Sequence, residues 1–480
     1  MTAIQRIARN TASLVAAETV VAALGLVLSI LIARTLGDVV FGRYSFAVAF
    51  TAIFAIFLDL GFNRLIVRDV ARDQSYAAKY LGNMAVVKGA LAVIVFAVMY
   101  VIIRMMSHPH EVTIAVLIFG LSVILVAFGD LFRATFRAFQ RMEYEALVSV
   151  ARKVTVISLG IAAVLRGHGL VQIAWAFAIG GLVYLTAGFL LCSHRFARPK
   201  LRLDSGFVRT AVKTALPLSA ISVATVVYFR IDTVMLSVMR DAAVVGWYNA
   251  AHGLVFALNP IPILFTAALF PYMSAAFVSA RESLVKAYTT ALRYLVIIAL
   301  PMATGTMLLS QRIMLLLYGD AFTPAIGALQ ILAWHIPLFF TYTLIANVLI
   351  AMDRHKSMAI GAGICALVNV ALNLALIPPL GYIGAAIATI VTESILLGVY
   401  FRLVSASLHR AALGRLLGKP LVACGGMSVF IHYCAGLNLA VLIFGSVVIY
   451  FTVLWLIKGL TRDDLALLRR AMKGSRGRSR

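Results

Sequence analysis

Apolar runs of roughly twenty residues recur from one end of the chain to the other, and each is long enough to cross a hydrocarbon core of ~30 Å. Short polar segments separate them. The pattern predicts fourteen spans, at about 11–33, 44–62, 82–103, 113–132, 154–166, 170–193, 215–238, 247–272, 288–310, 326–351, 357–377, 382–401, 420–436 and 439–457. They are numbered here in that order. The fifth is short and begins inside the preceding loop. The segments between spans leave no room for a large water-soluble domain, so the fold class is an all-α polytopic membrane protein. An even number of spans puts both termini on one side.

Composition sharpens this reading. Of 480 residues, 62% are hydrophobic and 12% charged, with mean hydropathy +1.00; a soluble globular chain runs near 45–50% apolar and about 25% charged. A soluble enzyme, a disordered chain and a fibrous repeat are thereby excluded. The net charge of +24 would suit a nucleic-acid partner, but the positions of the charges argue otherwise. On the fourteen-span topology, 34 of the 42 Lys and Arg fall on one side, six on the other, and Lys88 and Arg230 inside spans. The positive-inside rule makes the basic side cytoplasmic, with both termini there. The four cysteines, Cys192, Cys365, Cys424 and Cys434, are scattered in apolar segments and form neither a disulfide framework nor a metal site. Met1 to Arg9 followed by an apolar run mimics a signal peptide; without a small-x-small cleavage site it reads as a retained first span.

Three pairs of segments recur in order. Gly42-Arg43-Tyr44 opens span 2 and Gly246-Trp247-Tyr248 opens span 8. Ala138-Phe139-Gln140-Arg141 follows span 4, and Ala351-Met352-Asp353-Arg354 follows span 10. Gly169, Ala174 and Ala176 begin span 6, and Gly381, Ala386 and Ala388 begin span 12. The offsets of 204, 213 and 212 residues argue for two six-span halves in parallel orientation. Spans 13 and 14 stand outside the repeat. The organisation read from this is an N-terminal half at 1–195, a cytoplasmic linker at 196–214, a second half at 215–405, the added spans within 406–457 and a basic tail at 458–480. Leu65 to Tyr80 carries Arg68, Arg72 and Lys79 against Ile66, Val70, Ala71 and Tyr76 at helical spacing, the pattern of a helix lying on an anionic leaflet. In the tail, Thr461 and Asp464 have the spacing of a helix cap.

Enzyme chemistry is missing. Gly414 to Lys419 lacks the spacing of a phosphate-binding loop, and Pro420 replaces its Ser or Thr. HExxH, GxSxG and DxD are absent. Any movement this chain drives therefore runs on a gradient or on mass action, with H+ or Na+ as the coupling ion and no other cofactor or metal.

Ionisable and polar groups inside spans are costly, and each is a functional candidate. Arg230 and Asp232 of Tyr228-Phe229-Arg230-Ile231-Asp232 stand two apart, do not share a helix face, and need separate partners. A guanidinium facing a wet cavity suits phosphate through its paired donors; the alternative is an ion pair with Glu18, Asp59 or Asp130. Lys88, His252 and Asn249 are further cavity candidates. Glu18, Asp232 and Glu393 are candidates for coupling or gating, as is Pro260 in Asn259-Pro260-Ile261-Pro262, the best bending point. Asp59 and Asp130, beside Arg64 and Arg133, read as interfacial pairs; His335 reads as a histidine satisfied within its bundle.

Several motifs together resemble a known family. They are Ile32-Ala33-Arg34-Thr35-Leu36-Gly37 with Phe41-Gly42-Arg43-Tyr44; Asp59-Leu60-Gly61-Phe62 with Arg68-Asp69-Val70-Ala71-Arg72; Tyr228 to Leu236 before Val245-Gly246-Trp247-Tyr248; Leu317-Tyr318-Gly319-Asp320-Ala321-Phe322; and Leu380-Gly381-Tyr382-Ile383-Gly384-Ala385-Ala386. In order and position they resemble the polysaccharide-biosynthesis (Wzx-type) oligosaccharide flippases of the MATE-like transporter superfamily, over nearly the whole chain. The resemblance implies two six-helix lobes around a central cavity with two added helices. It implies transfer of a polyprenyl-pyrophosphate-linked oligosaccharide to the outer leaflet of a bacterial inner membrane, for O-antigen, capsule or exopolysaccharide assembly. A polysaccharide polymerase and glycosyltransferases are the implied partners. Arg230 sits on the family motif, and Lys88 and Arg34 carry over more weakly. Glu18 partly matches the acidic residue in span 1 of the drug-exporting branch, which keeps a cation-coupled exporter of small amphipathic molecules as the alternative.

Overall fold

The computed structural model describes residues 3–199, 204–279, 281–406, 408 and 413–459, without the side chains of 3–23, 216–222, 224–225, 278–279, 413 and 415. The cap expected at Thr461 and Asp464 lies outside the described residues. A helix occupies each of the fourteen expected spans. Among the described residues, eleven helical stretches are long and apolar enough to cross a membrane. The chain is a multi-pass, all-α membrane protein.

By packing, the chain divides into two units. The first comprises Met1–Ala257, Leu317–Ala328 and Ala362–Ala388; the second comprises Leu258–Leu316, Leu329–Gly361 and Thr389–Arg480. In the first unit, spans 1 and 2 form the helical run Ala3–Ala55, interrupted only at Gly37 (φ 82°, ψ 176°). A side chain would be strained in that backbone, so a single glycine there replaces a loop. Spans 3, 4, 5, 6 and 7 follow as Ala77–Met105, His110–Ala138, Met142–Leu165, Leu170–Arg195 and Ser205–Met239, and span 8 starts as Ala242–Phe256. Spans 4 and 6 pack closely through small residues, with Gly129 against the Tyr184 ring and Gly181 against Ser122. Lipid is as apolar as leucine, so close backbone approach of this kind holds such helices together.

The repeat read from sequence recurs in the backbone. Gln140 and Asp353 both take positive φ, at 56° and 57°. Each is followed by an arginine whose N–H bonds a carbonyl five residues back, Arg141 to Phe136 and Arg354 to Leu349, both at 2.9 Å. Both therefore end their helices with the same left-handed cap. Gly42 and Gly246 meet face to face across the repeat. A β-carbon at Gly42 would overlap the Ala242 carbonyl, and one at Gly246 would overlap that of Asp38. Trp247 Nε1 seals this seam by donating to Asp38 Oδ2 at 2.9 Å and to the Ala321 carbonyl at 3.1 Å.

The segment expected to lie on lipid is helical but packs differently. Phe62–Arg72 buries Phe62, Leu65, Ile66 and Val70 against other helices of the unit, including Leu131, Phe136 and Ala211. An amphipathic pattern fixes that one face must leave water; it does not distinguish lipid from protein as the cover. Lys79 of this connection pairs with Asp204 at 2.8 Å and tethers the segment after span 6.

In the second unit, Pro260–Ser279 completes span 8 after a break at Ala257–Asn259. The helices continue through Pro271 and Pro301. Arg281–Leu308 is span 9, His335–Ala351 the main part of span 10, and Leu413–Tyr433 and Leu439–Leu456 are spans 13 and 14. Tyr450 of span 14 donates to the Ile297 carbonyl at 2.8 Å, and Arg312 donates to the Leu437 carbonyl at 2.7 Å. The first bond ties the added pair to span 9, and the second ties it to Ser310–Tyr318, the helix that follows span 9. Spans 11 and 12, His355–Leu380 and Tyr382–Ser405, contribute to both units.

Candidate functional site: a charged cavity in the first unit

Within the first unit, spans 1 to 6 surround a cavity of about 490 Å³. Its apolar wall includes Leu28, Val48, Phe119, Val126, Val156 and Phe177, and its polar groups are Tyr44, Thr51, Asp59, Lys88, Ser122, Asp130, Arg152 and Lys153. The fifteen steps from Tyr44 to Asp59 correspond to about 22 Å at 1.5 Å per residue, most of a membrane leaflet-to-leaflet crossing.

Lys88 is fully buried. Its Nζ donates to the Ala127 carbonyl at 2.8 Å, approaches Asn63 Oδ1 at 3.5 Å, and pairs with Asp59 at 3.5 Å. A buried ammonium without such partners would be prohibitive. Asp130 pairs with Arg133 at 3.1 Å and accepts from Tyr184 Oη at 2.9 Å. Arg152 lies over the Tyr184 ring, 5.5 Å from its centroid. The lining thus carries two carboxylates against Lys88, Arg152 and Lys153, with Arg133 close behind. It is net positive.

A smaller pocket of about 330 Å³ adjoins it through Asp130 and is ringed by Asn63, Arg64, Arg68, Arg133 and Arg137. Arg137 is held by the buried Glu145. Four guanidiniums around one pocket favour a phosphate-bearing group by charge and by paired N–H donors.

The structure distributes the sequence candidates over several places. Lys88 lines the cavity; Arg34 and His252 are not among its lining residues. Arg230 is exposed and within electrostatic reach of Tyr44, itself a lining residue. Asp59 and Asp130, two of the three carboxylates considered as partners of Arg230, pair with Lys88 and Arg133. Asp59 pairs with Lys88 at 3.5 Å. Arg34 is exposed. His252 stacks on Phe256 at 3.7 Å between centroids. Asn249 accepts from Thr233 Oγ1 at 3.0 Å and donates to the Val245 carbonyl at 2.9 Å, linking spans 7 and 8. Asp232 is buried, as its different helix face from Arg230 requires, and accepts from Tyr248 Oη at 2.9 Å and Asn373 Nδ2 at 2.7 Å. Pro260 is the first residue after the break in span 8. Glu393 is buried in the second unit against His335. The side chain of Glu18 lies outside the described residues.

In the sequence, Arg64, Arg68, Arg133, Arg137, Arg152 and Lys153 are among the 34 basic residues on the cytoplasmic side that read as orientation signals. The spacing held a signal for more: Arg64/Arg68 and Arg133/Arg137 are each i,i+4 pairs and so share a helix face. Arg152 and Lys153 reach the cavity because span 5 begins twelve residues before its apolar run, at Met142 rather than 154.

Comparison with known proteins accords with this architecture. The family model described as polysaccharide biosynthesis protein matches residues 7–277, more than half of the chain. A relative from Haloferax volcanii, "Probable low-salt glycan biosynthesis flippase Agl15", is 21% identical over 362 residues, covering 74% of this chain and 75% of the relative. Among solved structures, "Lipid II flippase MurJ, inward closed conformation" superposes with a TM-score of 0.75 at 16% identity, over 94% of this chain and 99% of that one. An inward-facing multidrug resistance MATE family transporter of the MOP superfamily gives 0.67 at 18% identity, over 80% and 94%. The structural likenesses show a shared two-lobe fold. The chain belongs to the polysaccharide biosynthesis protein family.

Proposed function

We propose that this member of the polysaccharide biosynthesis family is a flippase, which carries a polyprenyl-pyrophosphate-linked oligosaccharide from the cytoplasmic to the outer leaflet of a bacterial inner membrane. It acts by alternating access, with 1–195 and 215–405 as the lobes that move, and serves O-antigen, capsule or exopolysaccharide assembly. The observation that carries this reading is the positively charged cavity inside an apolar bundle, with Lys88, Arg152 and Lys153 in its lining. A pyrophosphate and a glycan cannot enter hydrocarbon unaided, whereas a polyprenyl tail can remain in it. In this reading the arginine pocket receives the diphosphate at the basic side. Lys88, Arg152 and Lys153 stabilise it within the bundle, with Arg230 beside Tyr44 further along. The carboxylates Asp59 and Asp130 keep the cations ordered while the substrate is absent. The chain needs no catalytic group, since no bond in the substrate changes. A polymerase and glycosyltransferases, which consume and make such a substrate, are its expected partners. The names of the relative and of the MurJ neighbour support the glycan-lipid reading.

The test is a deletion strain complemented with wild-type protein or Arg230→Ala. Deletion is expected to abolish the surface glycan and to accumulate its lipid-linked precursor. Arg230→Ala is expected to insert normally and fail to restore the glycan. Normal glycan in that strain removes Arg230 from the mechanism. Intact surface polysaccharide on deletion, with altered drug susceptibility, would instead favour a cation-coupled exporter of small amphipathic molecules.

A further inference from the structure

The second unit contains one polar cluster unlike anything in the cavity. His335 and Glu393, on spans 10 and 12, are both completely buried. His335 Nδ1 lies 2.6 and 2.8 Å from the two oxygens of Glu393, and Nε2 lies 3.0 Å from Asn259 Oδ1. Both ring nitrogens therefore face oxygen acceptors. With the Asn259 oxygen toward the ring, a neutral imidazole has one N–H for two acceptors; with the amide turned over, Nδ2 donates to Nε2 and the neutral ring is satisfied, so the amide's orientation follows the proton. The geometry fits a pair that holds one additional proton, either as imidazolium with carboxylate or as neutral imidazole with carboxylic acid. The proton belongs to the pair rather than to either residue.

Asn259 makes this more than a buried ion pair. It is the last residue of the break in span 8, immediately before Pro260. Pro260 and Pro262 supply no backbone N–H to this stretch, so side-chain bonds weigh more heavily in fixing it. Loss of the proton leaves a lone pair on Nε2 or on Nδ1. If Nδ1–H stays with Glu393, Nε2 faces Oδ1 with no hydrogen between them, and the Asn259 amide must rotate or let go. Protonation of a sealed pair is thereby written into the geometry of the one interruption of span 8.

We propose that His335, Glu393 and Asn259 form a proton-binding site through which the transport cycle is coupled to H+, with the break at Ala257–Asn259 as its mechanical output. The proposal rests on the flippase reading for the cargo, but the site itself does not. The proton enters as H+ from water and leaves as H+; no other group is transferred. Tyr342 on the His335 helix is electrostatically coupled to both Glu393 and Tyr400, the latter on the Glu393 helix. Of the helices packed against span 10, Pro260–Ser279 carries Tyr272 as its titratable residue, and it is exposed. Arg281–Leu308 carries Arg281, Glu282, Lys286, Tyr288, Arg293 and Tyr294, all in its first half, toward the basic end of span 9. His335 lies nine residues into span 10 from the opposite end. These charges therefore stand roughly 12 Å or more away along the membrane normal, at 1.5 Å per residue.

The experiment is hydrogen–deuterium exchange on the full-length protein in lipid nanodiscs, from about pH 5 to about pH 9, the range over which histidine-linked groups titrate. The protection of residues 253–265 is read relative to the intrinsic rate at each pH. In wild-type protein, protection should fall as pH rises, by up to about tenfold per pH unit, the limit for one linked proton. In Glu393→Gln the wild-type profile should be lost, because the carboxylate that shares the proton with His335 is gone. Asn259→Ala retains the pair but removes its link to the break, and should also flatten the profile; it keeps the test decisive if Glu393→Gln does not fold. A flat wild-type profile, or a wild-type slope preserved in these variants, overturns the proposal and leaves the pair as a static lock. Surface-glycan complementation by the wild-type chain, scored in parallel, separates this from failure of the flippase reading. A normal glycan on deletion defeats the flippase reading and leaves the exchange result standing.

Discussion

The charged cavity of the first unit and the sealed pair of the second place ionisable groups within the same kind of apolar bundle, and they do it in opposite ways. In the first unit, charges of both signs line a space of about 490 Å³, and the cations outnumber the carboxylates. The surplus charge there has room beside it. In the second unit, His335 and Glu393 fill their space completely, each at 0% exposure. An anionic headgroup needs the first arrangement, since it must displace or join existing ion pairs. A proton needs only the second. On the proposed reading the two halves of the sequence repeat are specialised without altering the helical frame they share, because the chemistry depends on a few side chains and the frame on the spacing of apolar and small residues.

That comparison can be broken most severely at the seam between the halves of the repeat. Gly42→Leu forces a side chain into the backbone of span 8, where the clash is with a carbonyl and not a flexible side chain. The expected cost exceeds ~4 kcal/mol, and folded protein should be lost, read as recovery of a monodisperse peak after membrane extraction. Recovery of well-folded protein would mean that the two helices part at little cost.

The next effect sharpens the contrast inside the first unit. Lys88→Ala leaves the Asp59 carboxylate facing a cavity without its ammonium, which should destabilise the protein by about 3–5 kcal/mol if the pair is as sealed as the one in the second unit. Asp59 is in fact about one-third exposed, 35% against 1% for Lys88. A thermal-unfolding loss at the lower end of that range, largely recovered in Lys88→Met with Asp59→Asn, would confirm that the cavity is wet where the His335 site is dry.

The smallest effect lies at the surface of the first unit. Lys79 beside Asp204, and the Phe207 N–H that its carboxylate accepts, hold the Asp204 carboxyl below the usual aspartate range. A lowered folded-state pKa contributes stability above the unfolded value, about 3.9, and that contribution disappears as pH falls through the folded value. Wild-type and Asp204→Ala melting temperatures should therefore differ slightly at neutral pH and converge in acid. A difference that persists in acid would assign the effect to something other than the charge.

Some of this organisation was legible before any coordinates. The recurrence of Gly42 with Gly246, and of Gln140 with Asp353, marked the repeat correctly, because close helix contact and left-handed caps demand particular residue types. The separate faces of Arg230 and Asp232 followed from helical geometry alone. Other features were not legible. The apolar face of Phe62–Arg72 looked ready for lipid and is covered by protein, since lipid and protein interior present the same apolar surface to a hydrophobic pattern. Arg152 and Lys153 looked like topology signals, and only the early start of span 5 turned them into the cavity. His335 and Glu393 lie 58 residues apart on different spans, and nothing in their local sequence says that they meet.

The sequence by itself determined a helical membrane chain with a basic side, a parallel repeat and a set of costly intramembrane charges, because hydropathy, charge bias and residue-type requirements are local. Tertiary structure alone decided which charges meet. Lys88 pairs with Asp59, Asp130 with Arg133 and His335 with Glu393, while Arg230 is left exposed near Tyr44. Ion pairing within a bundle depends on the rotation and depth of one helix against another, and those are set by packing contacts distributed over the whole chain.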